Sequence, residues 1–247
     1  MTAPNVSVWV AAEEDFDRIT DIVAEAFIHD PVFNYFASLR ELIPKDQDTR
    51  EKKNLHKWAR FMLRLCVAAR GRVTVIVEKQ DSAPDRIVGM AQWLPPNKRL
   101  ALWHVRTMFK AGIVGMIKRW GVEGLLRCGF EWLDGTHNAM VKVFREREMK
   151  SKDPDATWYL QLIAVAPECQ GKGYMSKLIQ EGYNNAPDEI FTLEATTAAS
   201  RDKYAHLGFE AVSTLTLGNG KSDAQGLSSK GKSATGVEAY LMVKIPH

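Results

Sequence analysis

The stretch Ile163-Ala164-Val165-Ala166-Pro167-Glu168-Cys169-Gln170-Gly171-Lys172-Gly173-Tyr174-Met175 decides the fold. It reads as a buried strand running into a glycine-hinged turn that opens a helix. A helix start carries unpaired backbone N–H groups and the positive end of the macrodipole. Gly171 and Gly173 let a phosphate approach main chain that larger side chains would cover, so the turn reads as an anion cradle.

Downstream, residues 173–183 read as a helix and 190–194 as a further strand, within the spacing of a right-handed parallel crossover from the strand at 157–165. A helix over 198–207 ends at Gly208. The segment 218–236, dense in Gly, Ser and Lys, is expected to be a flexible loop between strands at 211–217 and 239–245. Upstream, residues 73–78 and 87–94 form a predicted antiparallel hairpin through Ser82-Ala83-Pro84-Asp85, closed by Pro95-Pro96.

The first strand is expected at 6–10, and apolar spacing over 15–27 predicts a helix that Pro31 stops, leaving an aromatic loop over 31–36. Leu55, Trp58, Phe61, Met62 and Leu65 mark the inner side of a helix over 54–69. From about 97 to 150 the pattern is helical and rich in Trp, Met and Phe, with glycines marking helix ends. It reads as an insert, packed over the sheet or serving as a lid. No internal repeat is visible.

With 247 residues, 45% apolar and 26% charged, residues 1–247 suffice for one elaborated domain with its own core. A formal charge of +3, with Lys and Arg dispersed, fits an anionic ligand in a specific pocket and argues against a nucleic-acid partner. Cys66, Cys128 and Cys169 are odd in number and far apart, so reduced thiols are expected. The start of the chain shows no targeting pattern and no apolar run reaches spanning length, so a cytoplasmic protein with no membrane partner is expected. The histidines lack the spacing of a zinc site, so no metal is expected.

Three nucleotide-binding readings compete for the turn. A P-loop requires two glycines five positions apart followed by Lys and Ser or Thr, which this chain lacks. A dinucleotide fingerprint requires glycine where Ser176 stands, although Glu194 ends the next strand as its acidic residue would. The third reading is a resemblance. Ala164-Val165-Ala166-Pro167 followed by Gln170-Gly171-Lys172-Gly173, with Tyr204-Ala205-His206-Leu207-Gly208-Phe209 about thirty residues on, resembles the GCN5-related N-acetyltransferase (GNAT) superfamily, in its fungal-type small-molecule form. Met175 departs from the family's small residue, and the likeness is best over 157–212 and absent over the insert.

The resemblance implies an α/β (α+β) fold, a mixed, mainly antiparallel central sheet flanked by helices, and acetyl-CoA as co-substrate. It implies that the pyrophosphate sits on Gly171, Lys172, Gly173, Tyr174 and Met175, beside Gln170, and that Ile163 and Val165 offer main chain to the thioester and the pantetheine arm. Tyr204 matches the tyrosine that protonates departing CoA. Thr197 and Ser200 fall where relatives contact pantetheine, though capping the helix at 198 is the simpler role.

Glu194 is the candidate base or amine anchor, its alternative a strand-end carboxylate bound to backbone; Asp30 is a second carboxylate at the mouth. Tyr159 and Gln161 alternate into the acceptor channel, and Phe33, Tyr35 and Trp93 are expected to line a compact apolar pocket. Cys169 has no histidine near it in sequence, so direct transfer is favoured over a covalent route. The expected activity is acetylation of a small amine. The rivals are a CoA-binding module without catalysis, a protein lysine acetyltransferase and a nicotinamide-linked oxidoreductase.

Overall fold

The computed structural model describes residues 5–80, 84–99, 104–149 and 153–246. Seven strands form one sheet: β1 (Val6–Val10), β2 (Arg72–Glu78), β3 (Arg86–Leu94), β4 (Trp158–Val165), β5 (Phe191–Ala195), β6 (Glu210–Leu217) and β7 (Val237–Lys244). Their order is β1-β2-β3-β4-β5-β7-β6, antiparallel throughout except between β4 and β5. The hairpin at β2 and β3 is as expected, but Ser82 and Ala83 of its turn lie outside the described residues.

The β4–β5 pair is short: Trp158 faces Phe191 and Tyr159 faces Thr192, and there the pairing ends. From Leu160 onward β4 is hydrogen-bonded only to β3, with a register shift that leaves Gln161 without an opposite residue. The Ala166 N–H donates to the Val88 carbonyl at 2.8 Å. Because main-chain groups alternate sides along an antiparallel strand, Ile163 and Val165 turn theirs to the open edge.

Helices α1 (Phe16–Ala26) and α3 (Arg50–Ala68) cover one face of the sheet, and α7 (Tyr174–Asn185) covers the other. On the α7 face Trp93 fits its ring over Gly182, where an added Cβ would stand 2.8 Å from the indole. Trp93 also meets Phe191 edge-on at 5.5 Å, so it is a core residue and not a pocket wall as expected. The alternation of a single strand cannot tell which of its two buried faces holds a ligand.

Pro31 starts a helix instead of leaving a loop. Helix α2 (Pro31–Phe36) has Pro31 in its first turn, where a missing N–H costs nothing, and Asp30 as its cap. Tyr35, expected in the pocket, is fully buried elsewhere: its hydroxyl donates to Glu131 at 2.7 Å and Arg127 stacks on its ring at 4.3 Å.

Part of the expected insert, including Leu100 and Trp103, lies outside the described residues. Its described part comprises α4 (Val105–Ala111), α5 (Ile113–Leu126), a π-helical turn (Arg127–Asp134) and α6 (Gly135–Glu146). Gly112 joins α4 to α5 with φ 99°, whereas Gly121, at φ 68°, kinks α5 internally and marks no helix end. Helix α5 lies against α2 and α3, and α6 lies on β6, its Met140 and Phe144 sharing a core cluster with Leu241 and Val243 of β7. Helix α8 (Ala198–His206) completes the fold beside β5.

The 218–236 connection, expected to be flexible, is tied down. Asn34 donates to the Gln225 carbonyl at 2.9 Å, and Ser228 N–H to the Leu39 carbonyl at 2.7 Å. Gly226, at φ 77°, lies so near α2 that a Cβ there would stand 1.9 Å from the Pro31 oxygen. Its glycines serve tight turns and close approach instead of freedom. Gly226→Ala is expected to lower the melting temperature well beyond Gly231→Ala, whose Cβ at φ 66° meets nothing within 4 Å. The control carries only the left-handed cost of about 1 kcal/mol, or about 2–4 °C, so equal melting shifts would mean that the loop is not seated on α2.

Candidate active site

A cavity of about 950 Å³ opens where β4 leaves β5, lined by the 160–165 edge, the turn after it, α2, α3, α5 and α8. At one end lies the predicted cradle. The N–H groups of Gly171, Lys172, Gly173, Tyr174, Met175 and Ser176 find no acceptor among the described residues. Gly171 and Gly173 have φ of 80° and 78°, and a Cβ at either would project into open space. Side chains there would be strained and would occupy the cradle.

Three contacts hold the turn in place. Gln170 donates from its amide to the Val165 carbonyl at 3.2 Å, bracing turn against strand. The buried Tyr174 hydroxyl donates to Glu78 on β2, and Lys172 reaches the same carboxylate at 3.1 Å. The Tyr174 hydrogen bond, together with Lys172, holds the Glu78 carboxyl below its usual range. Lys172 is thus paired with Glu78 beside the turn. Met175, in the family's small-residue position, packs on the core and lines the cavity.

Tyr204 faces the cavity from α8. Thr197 and Ser200 start this helix as a reciprocal cap, the Ser200 N–H donating to Thr197 Oγ1 at 3.1 Å and the Thr197 N–H to Ser200 Oγ at 3.2 Å. Both line the cavity, but their hydroxyls serve the cap. At the other end Gly208, at φ 91°, turns the chain so that Phe209 returns edge-on to Tyr204 at 5.8 Å. This geometry explains the Tyr-x-x-x-Gly-Phe spacing. The Tyr204 hydroxyl has no hydrogen-bond partner among the described residues, and burial, aided by the charge of Asp30, pushes its phenol above the ordinary value.

Asp30 sits across from it on the cavity wall. One oxygen accepts the Phe33 N–H of α2 at 2.9 Å and the other the Thr196 hydroxyl at 2.6 Å. Burial raises its carboxyl above the usual range, against the opposing pull of those hydrogen bonds.

Glu194 has a different setting. Its side chain is 1% exposed and ion-paired with Arg99 at 2.6 Å, while Tyr159 donates its hydroxyl to the second oxygen at 2.6 Å. Arg99 also donates to Thr136 of α6 at 2.9 Å and lies over the Tyr159 ring at 4.4 Å. Both carboxylate oxygens are engaged, so Glu194 is an internal anchor and not the free base or amine anchor expected of it. Tyr159 and Gln161 both line the cavity, Gln161 while donating to the Met62 carbonyl at 3.1 Å.

Phe33 lines the cavity as expected, meeting Trp58 edge-on at 5.4 Å and Trp120 at 5.5 Å. With Phe27 against Trp58 at 5.7 Å, these rings form an aromatic wall near Asp30. Helical spacing marks Trp58 only as an inward-facing residue, and no local pattern singles out Trp120 or Arg99 as cavity residues. Cys169 lines the cavity as a buried free thiol. No group of His, Cys, Asp or Glu suited to a metal exists among the described residues.

The sequence profile of the acetyltransferase (GNAT) family matches residues 35–209. An uncharacterized N-acetyltransferase of Schizosaccharomyces pombe is 25% identical over 206 residues, 83% of this chain and 74% of that protein. Among solved structures, one described as histone acetyltransferase HPA2 and related acetyltransferase from Corynebacterium glutamicum superposes with a TM-score of 0.57 at 22% identity, covering 98% of this chain and 97% of its own. Arylalkylamine N-acetyltransferase 2 of Aedes aegypti gives 0.57 at 15% identity, with 98% and 100% covered. With its sheet, cradle and profile in agreement, the chain belongs to the GNAT acetyltransferase family.

Proposed function

We propose that this chain is an acetyl-CoA-dependent N-acetyltransferase that passes acetyl directly to a small amine. The observation that carries the reading is one cavity in which an unpaired strand edge, a cradle of free N–H groups and an unpartnered phenol come together. The residues present fit acetyl-CoA: the free amides at Gly171 to Ser176 suit a pyrophosphate, and the Ile163 and Val165 edge suits the amide arm of pantetheine.

When bound, acetyl-CoA supplies an acetyl group already activated as a thioester. Ile163 N–H, at the free edge of β4, is oriented to donate to the carbonyl oxygen as negative charge grows there. Asp30 takes the role that Glu194 cannot, holding the incoming ammonium and receiving its proton, directly or through water. Tyr204 gives its proton to the departing sulfur. Nitrogen gives up two protons in all: the first passes through Asp30 to solvent before attack, and the second, shed from the tetrahedral adduct as the C–S bond breaks, replaces the proton that Tyr204 gives to sulfur, so the thiol so formed no longer attacks the new amide.

The acceptor is read from the wall chemistry. A carboxylate beside Phe27, Phe33, Trp58 and Trp120 suits a cation carried on an apolar or aromatic body. The fold likeness to an arylalkylamine N-acetyltransferase supports that choice. A protein lysine on an extended peptide finds less support, because α5 roofs the cavity.

Release of free thiol from acetyl-CoA across a panel of small amines tests the proposal. Arylalkylamines are expected to lead, and no release with any amine would reduce the chain to a CoA-binding module. Tyr204→Phe is expected to lose about 10²-fold or more in kcat with acetyl-CoA affinity retained. Unchanged turnover would remove the acid role. Gly173→Ala is expected to weaken CoA binding in calorimetry about tenfold or more, since strain of about 1 kcal/mol and a methyl group both fall in the cradle.

Asp30 predicts a paired pH effect. Its raised carboxyl places the acid limb of kcat/KM above the ordinary aspartate value of about 4, and Asp30→Asn is expected to abolish activity together with that limb. Below the ordinary value the carboxyl is protonated in folded and unfolded chains alike, so its charge costs nothing. As pH rises through the raised folded value the wild type loses stability, so the Asn variant, which still caps α2, should melt higher near neutral pH. A lower melting temperature at neutral pH would contradict the burial argument.

A further inference from the structure

Helices α4 and α5 are apolar on two sides. The inner side roofs the cavity through Met108, Ile113, Met116 and Trp120. The outer side carries Val105, Phe109, Val114, Val122, Leu126 and, just beyond α5, Phe130, which are between 46% and 63% exposed. None of these six lines the cavity. The other exposed large apolar residues, such as Trp9, Leu42, Val67 and Ile245, are scattered over the remaining described surface. Six exposed large apolar residues within the span 105–130 set this stretch apart as a contact surface.

Its charge says which kind. Between residues 104 and 130 stand Arg106, Lys110, Lys118, Arg119 and Arg127 against a single acid, Glu123. Arg127 is buried and paired with Glu123, which leaves Arg106, Lys110, Lys118 and Arg119 without an acidic partner among the described residues. Val105 and Phe109 are one helical turn apart, with Arg106 and Lys110 each next in the chain; Val114 and Lys118 repeat the spacing on α5 ahead of the kink at Gly121. A symmetric pairing with a second copy would set these four cations against their own equivalents, which disfavours that occupant.

We infer that the outer side of α4 and α5 is a docking surface for an anionic phospholipid bilayer. Apolar side chains enter the headgroup boundary while the cations meet lipid phosphate and carboxylate. No described helix is long and apolar enough to cross a membrane, so the contact is superficial. The expectation of no membrane partner rested on the lack of a spanning run, and a surface contact needs none. Docking brings the roof of an apolar cavity to the layer where lipophilic amines concentrate. The inference stands apart from the acetyl-transfer chemistry and fails or holds independently of it.

Co-sedimentation of the full chain with vesicles tests it, alongside light scattering without lipid. The protein is expected to pellet with mixed phosphatidylcholine–phosphatidylserine vesicles and not with phosphatidylcholine alone, and to be released severalfold as salt rises from about 0.05 to about 0.5 M. Phe109→Asp with Val122→Asp, and separately Lys110→Glu with Lys118→Glu, should each abolish pelleting while basal thiol release in vesicle-free solution stays unchanged. Equal behaviour with both vesicle types, or no pelleting with either, overturns the inference. So does a solution dimer split by Phe109→Asp in a protein that ignores vesicles, which would make the face a contact between copies.

Discussion

The separation of β4 from β5 after two paired residues is the constraint on which the site depends. Continued pairing would consume the Ile163 and Val165 main-chain groups and close the cavity. Stopping it leaves polar backbone facing inward, and each such group costs about 1–3 kcal/mol if it is buried without a partner. Water or a ligand must supply the missing bonds. The sheet tolerates the gap because each strand keeps a full neighbour on its other side, β3 for β4 and β7 for β5.

The gap is held open by side chains from far along the chain. Thr157, just before β4, meets Thr192 of the last β4–β5 pair through their hydroxyls at 2.9 Å. Just beyond, Tyr159 reaches across to Glu194, and Arg99 closes the pair. Removing Arg99 or Glu194 alone would leave an uncompensated buried charge, a loss of about 3–5 kcal/mol. Because Arg99 also bonds Thr136, the same network fastens α6 of the insert to the splay. Site geometry and insert position are thus set together.

The legible parts of this fold carried local rules. The cradle needed two glycines in left-handed geometry between a strand and a helix, and Gly171 and Gly173 announce that directly. Tyr204 was legible through Gly208 and Phe209, whose turn fixes the ring. The illegible parts were choices among partners. Arg99 and Glu194 are 95 positions apart, and no periodicity joins them. Trp93 and Phe33 both looked like apolar wall, yet one faces α7 and the other the cavity. In 218–236, a composition that resembles a linker becomes a packed loop once Gly226 meets Pro31.

Asp30 and Glu194 show why residue type alone does not assign a role. Both are carboxylates on one cavity wall, but a guanidinium and a phenol take both oxygens of Glu194, and its charge is spent inside the fold. Asp30 has only neutral donors, a backbone N–H and a hydroxyl, so its charge remains uncompensated until a cation arrives. Burial without a counter-ion is unfavourable for the empty protein and favourable for binding an ammonium, which is the asymmetry a binding carboxylate requires. That Asp30 also caps α2 fixes its carboxylate to a helix end, giving a strained charge a rigid mount next to Phe33.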